Sequence, residues 1–564
     1  MDRQENNNQL VLVVAIAAGV VALFAGGVIG VNYARSVLVE PGMQADIYEL
    51  KQIVSDQPNN TVLIEMLRKK DLEFRKGYFA RQGMSRKAGV ILCAAVVVLI
   101  GAVKFGYRPG HKLPGKQGDL SQEQVEGAAL ARQIVISVAV VMFAVSVGVI
   151  MRNADKFAED DAGEEVEVAA YATMEEVNAN WPSFRGPAGD GVSAFVNVPV
   201  KFDVESGENV LWKAKAARFG NSSPIVWGDK VFVSGGDDQA REVMCYGAGD
   251  GNLLWTGVVK ITGAPESIDI MEDTGYAACS PVTDGRRVYA IFATGEIAAF
   301  DFDGNKVWGQ FLGVPETAYG YASSLAIYQN IVIVQYDQGY DTGKSKLIGI
   351  DGATGAIAWQ TERNVPNSWT SPIVVRIGDR YQIVTVGDPF VSGYDAASGS
   401  EIWSVEAAAG DVAPSPIVID GIVYAVEPDY AVSAIRPAVK GGVDVAEVLW
   451  TVKEGAGDIS SPASDGKRIY IASGKNLTCI GIESRGVVWE HKFDDNVLAS
   501  PSIVGDKVYV LDESGTMVVL ECGDEFVEVG ASKLGEKCYA SPAFVDGRIY
   551  IRGVENLYCI GVGK

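Results

Sequence analysis

Ser280-Pro281-Val282-Thr283-Asp284-Gly285-Arg286-Arg287-Val288-Tyr289-Ala290 is the stretch on which the fold turns. A Ser-Pro pair opens an apolar strand. Asp-Gly then supplies the positive φ of a tight hairpin, and a β-branched, aromatic strand follows. Beyond Thr294-Gly295-Glu296 comes a third run, Ile297-Ala298-Ala299-Phe300-Asp301, and Asp303-Gly304-Asn305 turns into a fourth, Lys306-Val307-Trp308. The phrase recurs with its small-residue pair at Ser223-Pro224, Ser280-Pro281, Ser323-Ser324, Ser371-Pro372, Ser415-Pro416, Ser461-Pro462, Ser500-Pro501 and Ser541-Pro542. The intervals are 57, 43, 48, 44, 46, 39 and 41 residues. Strand-rich repeats of this period predict an all-β, eight-bladed propeller with one four-stranded blade per repeat. A propeller offers two loop faces and a central funnel, and by itself names no chemistry.

The last repeat stops at Lys564 without a fourth strand. The missing strand stands at the other end, where residues 209–216 carry Asn209-Val210-Leu211-Trp212-Lys213 ahead of the first Ser-Pro. Closure by this strand removes the exposed sheet edges of an open ring. Trp212, Trp255, Trp308, Trp359, Trp403, Trp450 and Trp489 recur at one place in the repeat. They read as packing between blades, not as cofactor stackers.

Before the ring, three apolar segments, about 10–32, 88–106 and 133–151, predict an α-helical three-span membrane anchor over residues 1–151. Residues 43–87 between the first two read as a basic helical hairpin, its charges beside lipid headgroups. Residues 152–180 form an acidic linker expected to be extended, and 181–564 form the propeller.

The net charge of −23 is unevenly spread. Residues 1–151 hold 16 Lys/Arg and 12 Asp/Glu, whereas the remainder holds 32 and 59. So acidic a ring disfavours nucleic acid and anionic lipid. The seven cysteines and two histidines show neither metal-ligand spacing nor a haem motif. With three spans, the basic loop and the propeller share one side of the membrane, and the positive-inside rule places that side in the cytoplasm.

Ile350-Asp351-Gly352-Ala353-Thr354-Gly355 with Trp359, and Tyr394-Asp395-Ala396-Ala397-Ser398-Gly399 with Trp403, resemble the repeat of pyrroloquinoline-quinone-like (PQQ-like) propellers. Trp181-Pro182-Ser183-Phe184-Arg185-Gly186-Pro187 is similar to the start of the ring in the PQQ-like proteins abundant in planctomycetes and their relatives. The resemblance implies one of two functions. One is a non-catalytic scaffold like the outer-membrane assembly lipoprotein BamB, with no cofactor. The other is a quinoprotein dehydrogenase holding PQQ and calcium in the funnel, usually beside a disulfide of adjacent cysteines. This chain has no adjacent cysteine pair, so the scaffold is the expected reading. The resemblance also implies a multi-pass inner-membrane protein whose ring is extracytoplasmic, against the charge count.

The loops before each first strand and between second and third strands share one face. They bring together Asn221, Tyr276, Tyr321, Asp337, Asp341, Trp369, Asp388, Asp411, Glu427, Asp429, Asp458 and Tyr539. Carboxylates interleaved with aromatics predict a docking face for a protein partner or small ligand. Trp369, outside the repeated Trp position, reads as an exposed anchor on that face.

Overall fold

The computed structural model describes residues 172–262, 270, 271 and 274–562, with five helical residues nearer the N-terminus, Gly19, Val21, Gly27, Val28 and Val31. The chain divides into two units, Met1–Val168 and Ala169–Lys564. Apart from those five residues, the expected spans at 10–32, 88–106 and 133–151 and the hairpin at 43–87 lie outside the described residues. No helix among the described residues is long and apolar enough to cross a membrane. Where the linker is described it is not wholly extended. Met174–Asn178 is helical, started by a capping box in which Thr173 and Glu176 bond each other's backbone N–H.

The ring has eight sheets, each with four meander strands. Blade 1 consists of Ile225–Trp227, Lys230–Gly236, Arg241–Gly247 and Leu253–Val258. Blades 2 to 7 span residues 282–311, 326–362, 373–406, 417–452, 463–492 and 502–533. Blade 8 takes three strands from residues 543–561 and its outermost from Val210–Lys215, which pairs antiparallel with Asn556–Gly561. Trp212 there faces Cys559. Seven buried apolar clusters lie mainly between successive blades, so the core is distributed around the ring.

The repeated serine has a specific task. In every blade its backbone N–H donates to the hydroxyl of the corresponding serine in the next blade. The cycle runs Ser223, Ser280, Ser324, Ser371, Ser415, Ser461, Ser500, Ser541 and back to Ser223, each bond 2.9–3.0 Å. In the third blade the member is Ser324, not Ser323, and Leu325 stands in the proline place. With no proline after Ser323, the sequence allowed two registers; the strand at Ala326–Tyr328 fixes the later one.

The Asp-x-x-Thr-Gly turn is explained by the tryptophan of the preceding blade. Gly355 has φ +75°, and a Cβ there would lie 2.8 Å from the Trp308 ring. Trp308 Nε1 donates to Gly352 O at 2.8 Å. Within its own blade each tryptophan lies across from a small residue: Trp255 from Cys245, Trp359 from Gly349, Trp403 from Gly393 and Trp489 from Cys479. Three cysteines, with Cys559 opposite Trp212, are therefore small partners beneath an indole. Burial pushes the thiols of Cys245, Cys479 and Cys559 up to about 12. All described cysteines are free.

Residues 181–193 cross the hairpin side of the ring. Trp181 exchanges backbone hydrogen bonds with Val226 and packs edge-on to Phe544. Pro182 O accepts from Thr283 N at 2.9 Å. Val192–Ser193 pairs in parallel with Ser502–Val504. Arg185, 2% exposed, donates to Gly189 O, Asp190 O and Pro462 O. Burial pushes its guanidinium down to about 10. These contacts reach blades 1, 2, 6, 7 and 8, so the segment plugs one end of the central channel. The open end is the opposite face.

Candidate functional site

Counting back from the serine cycle toward the open face defines the funnel. The residue one before the serine is buried in every blade, as Ser222, Cys279, Ser323, Thr370, Pro414, Ser460, Ala499 and Ala540 are. The residue two before is reached by solvent in seven of the eight: Asn221, Ala278, Ala322, Ala413, Ile459, Leu498 and Tyr539. These positions lie in the loops that lead into the eight innermost strands, at one level of the repeat beside the ring axis. These side chains are therefore the funnel floor. Ile459, Leu498 and Tyr539 come from consecutive blades and form an apolar strip, with Ile459 52% exposed.

The eighth floor position is Trp369, and it differs from the sequence expectation. It is 9% exposed, packs at a 48° tilt against Tyr319 with centroids 5.0 Å apart, and donates Nε1–H to Gly320 O at 2.9 Å. Its backbone N–H bonds Val412 O at 2.9 Å. Trp369 thus ties three loops together beneath the surface. Tyr319, 40% exposed, lies over it and reaches Asp411, to whose carboxylate its hydroxyl donates at 3.1 Å.

Two further expected face residues are also interior. Tyr321 is 1% exposed, packs on Tyr336 and donates to Gln335 O at 2.9 Å. Asp337 is buried in an ion pair with Arg363 at 2.7 Å and accepts from Ser368 and Gln335, both at 2.7 Å. Burying a carboxylate requires such partners, and they join blades 3 and 4. The loop pattern in sequence cannot separate an inward aspartate from an outward one four residues later.

The other carboxylates form the rim. Asp341, Asp411, Asp429 and Asp458 are exposed, and Asp388 and Glu427 half-exposed. None of the six forms a salt bridge among the described residues, whereas Asp337 just below does. Asp411 and Asp429 of blade 5 converge with Asp458 at the entry of blade 6: partial burial and the charges of Asp429 and Asp411 raise the Asp458 carboxyl above its ordinary value. Asn221 and Tyr276 lie elsewhere on the mouth. Asn221 bonds Thr274 O, and Tyr276 lies 4.2 Å from the Arg241 guanidinium. Tyr539 leans toward Glu513, which Lys537 neutralises at 2.9 Å.

The apolar residues Ile459 and Leu498 carry neither charge nor an aromatic ring, so the loop pattern that marks the rim passes over them. The available signal was the count of two before the repeated serine. That count gains its meaning only once the serine cycle is seen.

The family profile described as Outer membrane protein assembly factor BamB matches residues 197–368, 344–444 and 439–524, more than half of the chain. The chain belongs to this family. No curated protein matches it. Among solved structures it is similar to BamB from Moraxella catarrhalis, at 16% identity and TM-score 0.46 over 62% of this chain and 99% of that one. It is also similar to quinohemoprotein alcohol dehydrogenase from Comamonas testosteroni, at 13% identity and TM-score 0.49 over 68% and 81%. The computationally designed protein Ika8 matches at 11% identity and TM-score 0.46 over 63% and 99%. These similarities concern the fold and do not divide scaffold from enzyme.

The donor set of the funnel suits calcium poorly. That ion takes about six to eight oxygen ligands, yet no three His, Cys, Asp or Glu side chains among the described residues are grouped to hold a metal. Beside Asn221 and Tyr539 the floor offers alanine, leucine and isoleucine side chains, with no cationic group for a quinone carboxylate.

Proposed function

We propose that this chain is a membrane-anchored, non-catalytic scaffold that binds a protein partner in the open funnel of its propeller. The anchor is the expected three-span segment, the ring is extracytoplasmic, and the setting is assembly in the cell envelope. Membership of the BamB family supports the scaffold class. The observation that carries the reading is an apolar, solvent-reached floor inside a carboxylate rim that no salt bridge neutralises among the described residues. A binding site combines a concave apolar surface with a few placed polar groups.

The test against the quinoprotein reading is direct. The purified chain is incubated with PQQ and calcium, then assayed by thermal melting and dye-linked alcohol oxidation. The scaffold predicts no shift in melting temperature and no quinone-dependent turnover. Turnover that disappears when Ala322 or Ala413 is enlarged to Phe would place a cofactor in the funnel and overturn the reading.

A further inference from the structure

We infer that the funnel takes an extended peptide segment whose apolar side chain seats on the Ile459–Leu498 strip while neighbouring Lys or Arg side chains meet the rim at Asp411, Asp429 and Asp458. This rests on the scaffold reading and adds the chemistry of the partner. Charge complementarity selects the occupant. Asp411 and Asp429 belong to blade 5 and Asp458 to the entry of blade 6, with the Asp429 N–H bonded to Gly457 O at 3.2 Å; partial burial and the charges of the other two raise the Asp458 carboxyl, and none of the three forms a salt bridge among the described residues. Left alone they repel; a cation between them relieves that cost.

The apolar half is a separate observation. Ile459 is 52% exposed in the loop that enters blade 6, with Leu498 half-exposed at the same repeat position of the next blade. Neighbouring aliphatic side chains beside exposed carboxylates offer an apolar seat with polar groups at its edge. Tyr319 supplies the edge between the halves. Its hydroxyl is fixed on Asp411 at 3.1 Å and its ring is held by Trp369, so it presents an oriented aromatic face beside the carboxylates. A cation over such a face gains by cation–π attraction as well. Nucleic acid and anionic lipid carry the wrong charge for this rim.

The experiment uses the full chain and three fluorescent peptides of equal length. One has a central Leu-Leu pair flanked by Lys and Arg; the second has Glu for each cation; the third has Ser for each Leu. The first should bind at least about tenfold more tightly than either other. Asp411→Asn with Asp458→Asn, and separately Ile459→Ser, should each weaken it by about tenfold or more, with near-unchanged melting because these side chains are exposed. Rising salt should weaken the first peptide further. If the acidic peptide binds equally well and Ile459→Ser still abolishes binding, the partner chemistry is wrong and the funnel remains the site. If a peptide binds but ignores both variants, the funnel reading falls too. If none binds, the inference is overturned, while the scaffold reading stands on its own mapping.

Discussion

Single side chains in this ring are legible only in the context of the neighbouring blade. Gly355 looks like any turn glycine, but its positive φ and the Trp308 ring against it leave no room for a Cβ. Gly355→Ala should therefore destabilise the protein by about 1–3 kcal/mol in denaturant unfolding, as an overpacked site does. Trp403 was placed in the core from its position in the repeat, and it is 4% exposed. Trp369 looked like a surface anchor and is nearly as buried. Trp403→Ala should cost about 3–5 kcal/mol, as buried aromatic truncations do. Trp369→Ala should also lower the melting temperature, because it strips the support from Tyr319. Asp458 sets a pH dependence. Its folded carboxyl titrates above the ordinary aspartate value of 3.8, so its charge opposes folding above the folded value, and that penalty vanishes below the ordinary one. Capture of a cationic peptide should accordingly begin to fail, on acidification, at a pH higher than a free aspartate would give. A decline that tracks an ordinary aspartate would contradict the clustering of the three carboxylates.

At the scale of strands and loops, the sequence carried the blade almost completely. Asp-Gly hairpins, β-branched runs and recurring tryptophans gave the strands, and Trp212 marked the strand that completes blade 8. What it did not carry was the closed serine cycle, because an N–H to hydroxyl bond between blades leaves no periodic trace beyond the serine itself. At Ser323-Ser324 the sequence pattern therefore points one residue too early, to Ser323 and not Ser324. Ser415→Ala tests the cycle. It deprives the buried Ser371 N–H of its acceptor, for which about 1–3 kcal/mol of lost stability is expected. Ser323→Ala, one residue off the cycle, should cost less. The plug was legible only as the Trp181-to-Pro187 phrase, and its role across blades needed the folded ring.

At the scale of the whole ring, the loops of the open face carry a carboxylate rim around the entries of the innermost strands. Charge totals give its acidic sign; of the expected face residues Asp411, Asp429 and Asp458 are exposed, whereas Tyr321, Asp337 and Trp369 are interior. The floor escaped, because exposed Ile459 and Leu498 are indistinguishable in sequence from the apolar residues that fill the blades. The central claim is that a partner occupies this floor and not the plugged face. The most direct measurement is site-specific photo-crosslinking in cells expressing the full chain, with a photoreactive side chain replacing Ile459 in the funnel or exposed Lys467 on the hairpin side. A discrete protein adduct from position 459, lost when Asp411 and Asp458 are changed to Asn and absent from position 467, is the predicted result. A discrete adduct from position 467 with none from 459 would contradict the account.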